Sequence, residues 1–156
     1  MNTKNYTILR DLYKKYELTE EDVFKHKHYV IITRAGIDKI QAKERINIEY
    51  EVISCSPNYC VVKACATVNE NKIQTFGSAL NTFGSELHHE KIKTGNCTNW
   101  YVMEMAEKRA MSRAVLKLTG FYAHGAMGED EAEEFENPKQ NTNHPSKVDE
   151  IIKSSL

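Results

Sequence analysis

The chain has 156 residues, of which 40% are hydrophobic and 28% are charged, and its formal net charge is −1. These values are typical of one soluble globular domain and exclude wholesale disorder. No segment approaches the roughly 18 apolar residues of a membrane-spanning helix, and the N-terminus lacks the apolar run of a signal peptide. We therefore expect a cytoplasmic protein without a membrane partner, whose four cysteines stay reduced.

The charge is distributed unevenly along the chain. Six acidic residues lie between Glu129 and Glu136, and without them the preceding part of the chain is positive. A positive body suits electrostatic contact with a polyanion.

The first 28 residues are predicted to form a helical segment. Apolar residues recur at helical spacing from Tyr6 to Tyr16. Thr19 followed by Asp22 resembles the start of a second helix, in which Val23 and Phe24 would be buried.

A short strand and a helix are predicted next. Residues 29–32 have strand composition, and Thr33 is suited to cap a helix from Arg34 to about Lys43. From Ile46 to Val52 every second residue is apolar, which is typical of a half-buried strand.

Two more strands complete an antiparallel meander. Residues 54–58 read as a loop, 60–68 as a second strand and 69–72 as a turn. A third strand follows at 73–80, with Gly77 as a candidate bulge. Residues 81–97 are polar and are expected to form a loop.

The strongest helical signal covers residues 99–120. Thr98 or Asn99 is suited to cap its start, and Gly120 to end it. One apolar stripe, formed by Met103, Ala106, Ala110, Ala114 and Leu118, is expected to cover the sheet. The glycine-bounded segment 121–128 should pack back on the core.

The predicted fold class is α+β. A three-stranded antiparallel β-meander packs against the long helix in a core domain at 29–136, preceded by the helical segment 1–28. Residues 137–156 are polar and interrupted by proline, so we expect a flexible, disordered tail.

Basic side chains are expected to line a groove between the strands and the long helix. A positive groove would hold a nucleic-acid backbone without reading its sequence. Tyr59, Trp100, Tyr101 and Tyr122 could stack on unpaired bases, although such rings are more often part of a core. The candidate DNA-binding residues are Lys39, Lys43, Arg45, Lys63, Lys91, Lys93, Trp100, Lys108, Arg109, Arg113 and Lys117. Ordinary solvation of these charges is the alternative interpretation.

Enzyme motifs are weak. Glu86, His88, His89 and Glu90 lie in a polar loop without a companion metal motif, Ser78 lacks a nucleophile-elbow setting, and no phosphate-binding loop occurs. We expect neither catalysis nor a cofactor or metal. A metal-dependent nuclease using Glu86, His88 and Asp130 is the weaker enzyme hypothesis.

Residues 106–120, with Gly77-Ser78 at the third strand, resemble the annealing domain of phage single-strand annealing proteins. These Erf-type recombination proteins belong to the superfamily that includes the eukaryotic Rad-fifty-two protein. The resemblance covers about residues 29–130. Arg113 matches the first of two adjacent basic residues of the family and Lys117 a later one, whereas Ala114 stands where the second basic residue is expected.

The resemblance implies ATP-independent binding and annealing of single-stranded DNA in phage-type recombination, inside a bacterial host cell. It also implies a homo-oligomeric ring or filament. The acidic segment and tail are candidate sites for restraining DNA contact or recruiting a single-strand-binding protein. The alternative is a small phage accessory protein that binds a host protein or a small anionic ligand through the basic groove.

Overall fold

The computed structural model describes residues 3–26, 29–81, 95–97 and 101–132. The predicted tail at 137–156 lies outside these residues. The elements, in chain order, are α1 (Thr3–Tyr16), β1 (Val23–His26), β2 (Tyr29–Ile32), α2 (Arg34–Glu44), β3 (Asn47–Cys55), β4 (Tyr59–Val68), β5 (Asn71–Leu80), α3 (Val102–Leu118), a 3₁₀ turn (Tyr122–His124), β6 (Ala126–Gly128) and α4 (Glu129–Ala132).

The predicted meander is confirmed. β3, β4 and β5 form a three-stranded antiparallel sheet, here called the meander sheet. The pairing of β4 with β5 is continuous through Gly77, so the predicted bulge there is wrong. The irregularity lies in β3 between Val52 and Ser54.

α3 covers β4 and β5 but barely touches β3. Cys60, Val62, Ala64 and Ala66 of β4 are therefore buried. Tyr50 and Val52 of β3 remain 41% and 50% exposed. The expected burial of one face is found at Ile46 and Ile48, and it is wrong for Tyr50 and Val52, because the helix does not extend over that part of the strand.

α3 begins at Val102, later than predicted. Tyr101 occupies the N-cap position and makes no capping hydrogen bond through its side chain, while Thr98 and Asn99, the predicted caps, lie outside the described residues. At the other end Gly120 has a φ of 85°, the left-handed conformation expected after a helix. Ten of its 17 residues are buried, including Ala106, Ala110 and Ala114 of the predicted stripe. Met103 is 43% exposed and does not cover the sheet.

Gly77 allows α3 to approach β5 closely. A Cβ atom at this position would lie 2.0 Å from the carbonyl oxygen of Ala106 and 2.4 Å from the nitrogen of Ala110. Next to it, the Thr75 hydroxyl donates a 2.6 Å hydrogen bond to the Ala110 carbonyl. The glycine is therefore required by helix packing rather than by a bulge.

A second sheet, in the order β1-β2-β6, was not predicted. β1 pairs with β2 antiparallel and β6 pairs with β2 in parallel. The predicted second helix is wrong, because residues 23–26 form β1 and Phe24 is 41% exposed. The Asp22 carboxylate does accept from the Thr19 backbone N–H at 2.8 Å, but this contact closes a turn.

The N-terminal segment belongs to the same folded unit as the sheets. Leu9, Tyr13 and Tyr16 of α1 lie in the common core, and both tyrosine rings contact Phe121. The expected boundary between residues 28 and 29 falls between two paired strands. As predicted, Thr33 caps α2 by accepting from the Gly36 N–H, and the chain after α3 packs back on the core. No described helix has the length and apolar composition to cross a membrane.

Candidate nucleic-acid interface

Arg109 is part of the core rather than of an accessible surface. Its side chain is fully buried, and its guanidinium donates to three backbone carbonyls. Nη1 binds Ser78 O at 2.8 Å, Nη2 binds Asn96 O at 2.6 Å, and Nε binds Asp130 O at 3.0 Å. The prediction that Arg109 contacts DNA is therefore wrong. Its side chain is inaccessible, and its donors bind carbonyls in three separate segments of the fold.

Arg113 lies one helical turn further along, at the margin of the core. Nη1 donates to the carbonyl of Phe76 at 2.8 Å, and Nε contacts the carboxylate of Glu131. The Arg113 side chain remains 30% exposed, whereas that of Glu131 is only 3% exposed. Arg113 thus has both a structural contact and a face open to solvent.

Lys117 is the accessible member of the three. Its side chain is exposed, and its ammonium lies 5.2 Å from the centre of the Tyr122 ring. Lys117 lies one helical turn beyond Arg113, on the same side of α3. The predicted basic line therefore exists, but its exposure increases from one end to the other.

The three described acidic residues after β6 contact the rest of the domain, and two of them are buried. The Glu129 carboxylate accepts from the Arg34 backbone N–H at 3.1 Å, at the start of α2. The Asp130 carboxylate accepts from the Ser112 hydroxyl at 3.0 Å and is buried. Asp130 and Glu131 therefore belong to the folded body and offset part of its positive charge.

The cations around α2 are held by acidic neighbours. Lys39 and Lys43 form 2.7 Å ion pairs with Asp22 and Glu17. Burial opposes ionisation of Asp22, but hydrogen bonds from Lys39 and Thr19 more than compensate and lower its pKa. Arg45 is exposed and closes α2 in a left-handed conformation.

The space beside β3 is not the positive groove that was predicted. Burial, and then the Glu107 carboxylate, raises the pKa of Tyr50, with Arg34 opposing and Asp38 adding to the shift. Arg34 and Asp38 form an ion pair at 3.3 Å. Glu107 and Asp38 thus accompany Arg34 at this position. Their negative charges disfavour the space beside β3 as a channel for phosphates.

The face of the meander sheet turned away from α3 offers a different arrangement. Phe76 is 51% exposed and stands directly across from Lys63, which pairs with Glu51. Tyr59, 41% exposed, lies on the same face. Phe76 was missed, although the alternation of β5 places it opposite the buried Thr75 and Gly77.

These residues make up a candidate interface, which we call the β5 rim: Phe76, Arg113 and Lys117. It combines the exposed ring of Phe76, the Arg113 guanidinium, which binds the Phe76 carbonyl, and the exposed ammonium of Lys117. Lys63 and Tyr59 extend it across the sheet. Lys108 is half-buried elsewhere on α3.

Three of the predicted DNA-binding residues, Lys91, Lys93 and Trp100, lie outside the described residues, as do Glu86, His88, His89 and Glu90. Within the described ranges, no group of three or more potential metal ligands occurs.

Comparison of the chain with protein-family models, curated proteins and solved structures finds no match.

Proposed function

We propose that this protein binds single-stranded DNA and anneals complementary strands without ATP or catalysis, as an oligomer acting in phage-type recombination in the bacterial cytoplasm. The resemblance of residues 106–120 to annealing proteins supports this proposal. The second, structural support for the proposal is the β5 rim.

The observation that carries the proposal is the contact between Arg113 and Phe76. The guanidinium of Arg113 binds the backbone carbonyl of Phe76, whose half-exposed ring projects from the face of the sheet turned away from α3, and Lys117 follows one turn further along the helix. Sequence-independent binders of single strands use this combination, because phosphates attract the cations and bases stack on the ring. In this proposal a phosphate approaches the exposed part of the Arg113 guanidinium, while the contact with the buried carboxylate of Glu131 is kept.

The test is a binding titration with a labelled single-stranded oligonucleotide at several salt concentrations. Phe76→Ala should weaken binding about tenfold through the loss of base stacking. Lys117→Ala should weaken it and reduce the slope of log affinity against log salt by about 0.7, the value for one phosphate of a single strand.

Matched controls lie on other elements of the fold. Phe24→Ala removes a ring that is 41% exposed on β1, and Lys14→Ala removes an exposed lysine on α1. Both should bind like the parent protein. Equal losses in all four variants, or no loss in any, would exclude the β5 rim as the DNA site.

Self-association is supported by the exposed apolar residues of β3. Val52 and Ile53 are 50% and 49% exposed beside an edge that no described strand covers. Light scattering during size-exclusion chromatography should show an oligomer, and the same fractions should accelerate annealing of complementary oligonucleotides without nucleotide. A monomer that neither binds nor anneals DNA would favour the accessory-protein hypothesis.

A further inference from the structure

Cys55 and Cys60 face each other across the hairpin that joins β3 to β4. Their Cα atoms are register partners. One step closer to the turn, the Ser56 N–H donates to Tyr59 O at 2.7 Å, which makes that pair the hydrogen-bonded one. Because the two kinds of pair alternate in antiparallel strands, Cys55 and Cys60 form a non-hydrogen-bonded pair.

This position brings the two side chains together. Cα atoms of a non-hydrogen-bonded pair lie about 4.5 Å apart, which falls within the usual range of about 4.4–6.8 Å for a disulfide. Cross-strand partners also project from the same face of the sheet. All four cysteines of the chain are free thiols in this structure.

The two thiols differ in exposure. Cys55 is exposed, whereas Cys60 is fully buried. Burial, and then the hydrogen bond with Cys55, raises the pKa of the Cys60 thiol to about 11. An oxidant in solution therefore reaches Cys55 first, and Cys60 is positioned to react second.

We propose that Cys55 and Cys60 form a site of reversible oxidation that closes to a cross-strand disulfide when the protein meets hydrogen peroxide. The proposal is independent of the proposed DNA binding.

The chemistry balances in two steps. The Cys55 thiolate attacks one peroxide oxygen, the O–O bond breaks, and hydroxide leaves to become water, which yields a sulfenic acid on Cys55. The Cys60 sulfur then attacks the Cys55 sulfur, the S–O bond breaks, and the thiol proton of Cys60 leaves with the hydroxyl group as water. Two thiols lose two electrons in total, and one peroxide is reduced to two waters.

The other cysteines are less suited to this reaction. Cys65 lies on the opposite face of β4, because it is an odd number of residues from Cys60. Cys97 is buried in the core with Cys60 and is the competing partner that an experiment must distinguish.

The experiment treats the full-length protein with millimolar hydrogen peroxide, unfolds it in guanidinium chloride, blocks the remaining thiols with N-ethylmaleimide, and analyses tryptic peptides by mass spectrometry. Arg45 and Lys63 flank both cysteines, so one peptide, 46–63, carries the pair. In the parent protein this peptide should lose two hydrogens and take no maleimide, and prior reduction with dithiothreitol should restore two adducts.

Two variants decide the assignment. Cys65→Ser should give the same disulfide peptide, whereas Cys55→Ser should leave Cys60 free to take maleimide. A sulfinic or sulfonic acid on Cys55 with Cys60 still free would overturn the proposal. A link between Cys60 and Cys97, or peptides unchanged by peroxide, would overturn it equally.

Discussion

The two edges of the meander sheet differ in how their backbone groups are used. Along the outer edge of β5, the carbonyls of Phe76 and Ser78 accept from Arg113 and Arg109, and Leu80 exchanges hydrogen bonds with Asn96. Along the outer edge of β3, no strand in the described part of the chain is paired. One edge is therefore covered by side chains of the core, and the other is available.

This difference shows why a basic line on a helix is a poor measure of accessible charge. Arg109 and Lys117 lie on the same side of α3, yet Arg109 is fully buried and Lys117 is exposed. Arginine is suited to the buried position because its five donors can serve several carbonyls at once. Arg109, which is buried and bound to three carbonyls, is not free to bind a partner, whereas Arg113 keeps part of its side chain open to solvent.

The largest effect on stability is expected for Arg109, which binds a carbonyl at the outer edge of β5. Arg109→Met should lower the free energy of unfolding by about 4 kcal/mol, because it leaves three buried carbonyls without their donor. Denaturant unfolding followed by circular dichroism measures this loss. Lys108→Met, on the same helix but half-buried, should change the stability by less than about 0.5 kcal/mol. Similar losses in the two variants would contradict the structural role of Arg109.

The second effect concerns the packing of β5 against α3. Gly77→Ala should destabilise the fold by about 2–3 kcal/mol, because its Cβ would meet two backbone atoms of the helix and force the elements apart. Val52→Ala on β3 is the matched change, and about 0.5 kcal/mol is expected there, since Val52 is half-exposed. Thermal unfolding of both variants provides the comparison. A Gly77→Ala protein as stable as the parent would show that α3 does not pack this closely on β5.

Elements with a strong hydrophobic period could be predicted from the sequence. Elements that depend on long-range packing could not. The meander and α3 follow from alternation at residues 46–80 and from the helical stripe with Gly120. β6 has only three residues and is stabilised as a strand by parallel pairing with β2, nearly 100 residues earlier, so no local pattern could indicate it.

The candidate site was predicted less completely for the same reason. A repeat of four residues identified Arg109, Arg113 and Lys117, but exposure depends on which carbonyls and carboxylates the fold brings to each cation. The burial of Glu131 against Arg113, 18 residues away in the chain, is a property of the folded state alone. Phe76 could have been found from the alternation of β5, once its other face was assigned to the core.

A third prediction concerns the contact between Glu131 and Arg113 at the outer edge of β5. Glu131→Gln removes the charge that holds Arg113, so DNA affinity should rise about threefold at low salt, while the stability falls by about 1 kcal/mol. Anisotropy titrations with labelled single-stranded DNA measure the gain. Glu44→Gln, which breaks the contact with Lys15 away from this edge, should leave the affinity unchanged. An unchanged affinity in Glu131→Gln would show that Arg113 does not contact DNA.

The smallest effect on stability is expected at the outer edge of β3. Ile53→Lys should alter the free energy of unfolding by less than about 0.5 kcal/mol, because this side chain is 49% exposed at the irregularity of β3. A lysine on an edge strand opposes pairing with another chain, so the oligomer should dissociate in size-exclusion light scattering. Lys72→Ala, an exposed change on β5, is the control and should leave the oligomer intact. An Ile53→Lys protein that keeps the parent's molar mass would place the subunit contact elsewhere, and the two edges would then differ in structure but not in assembly.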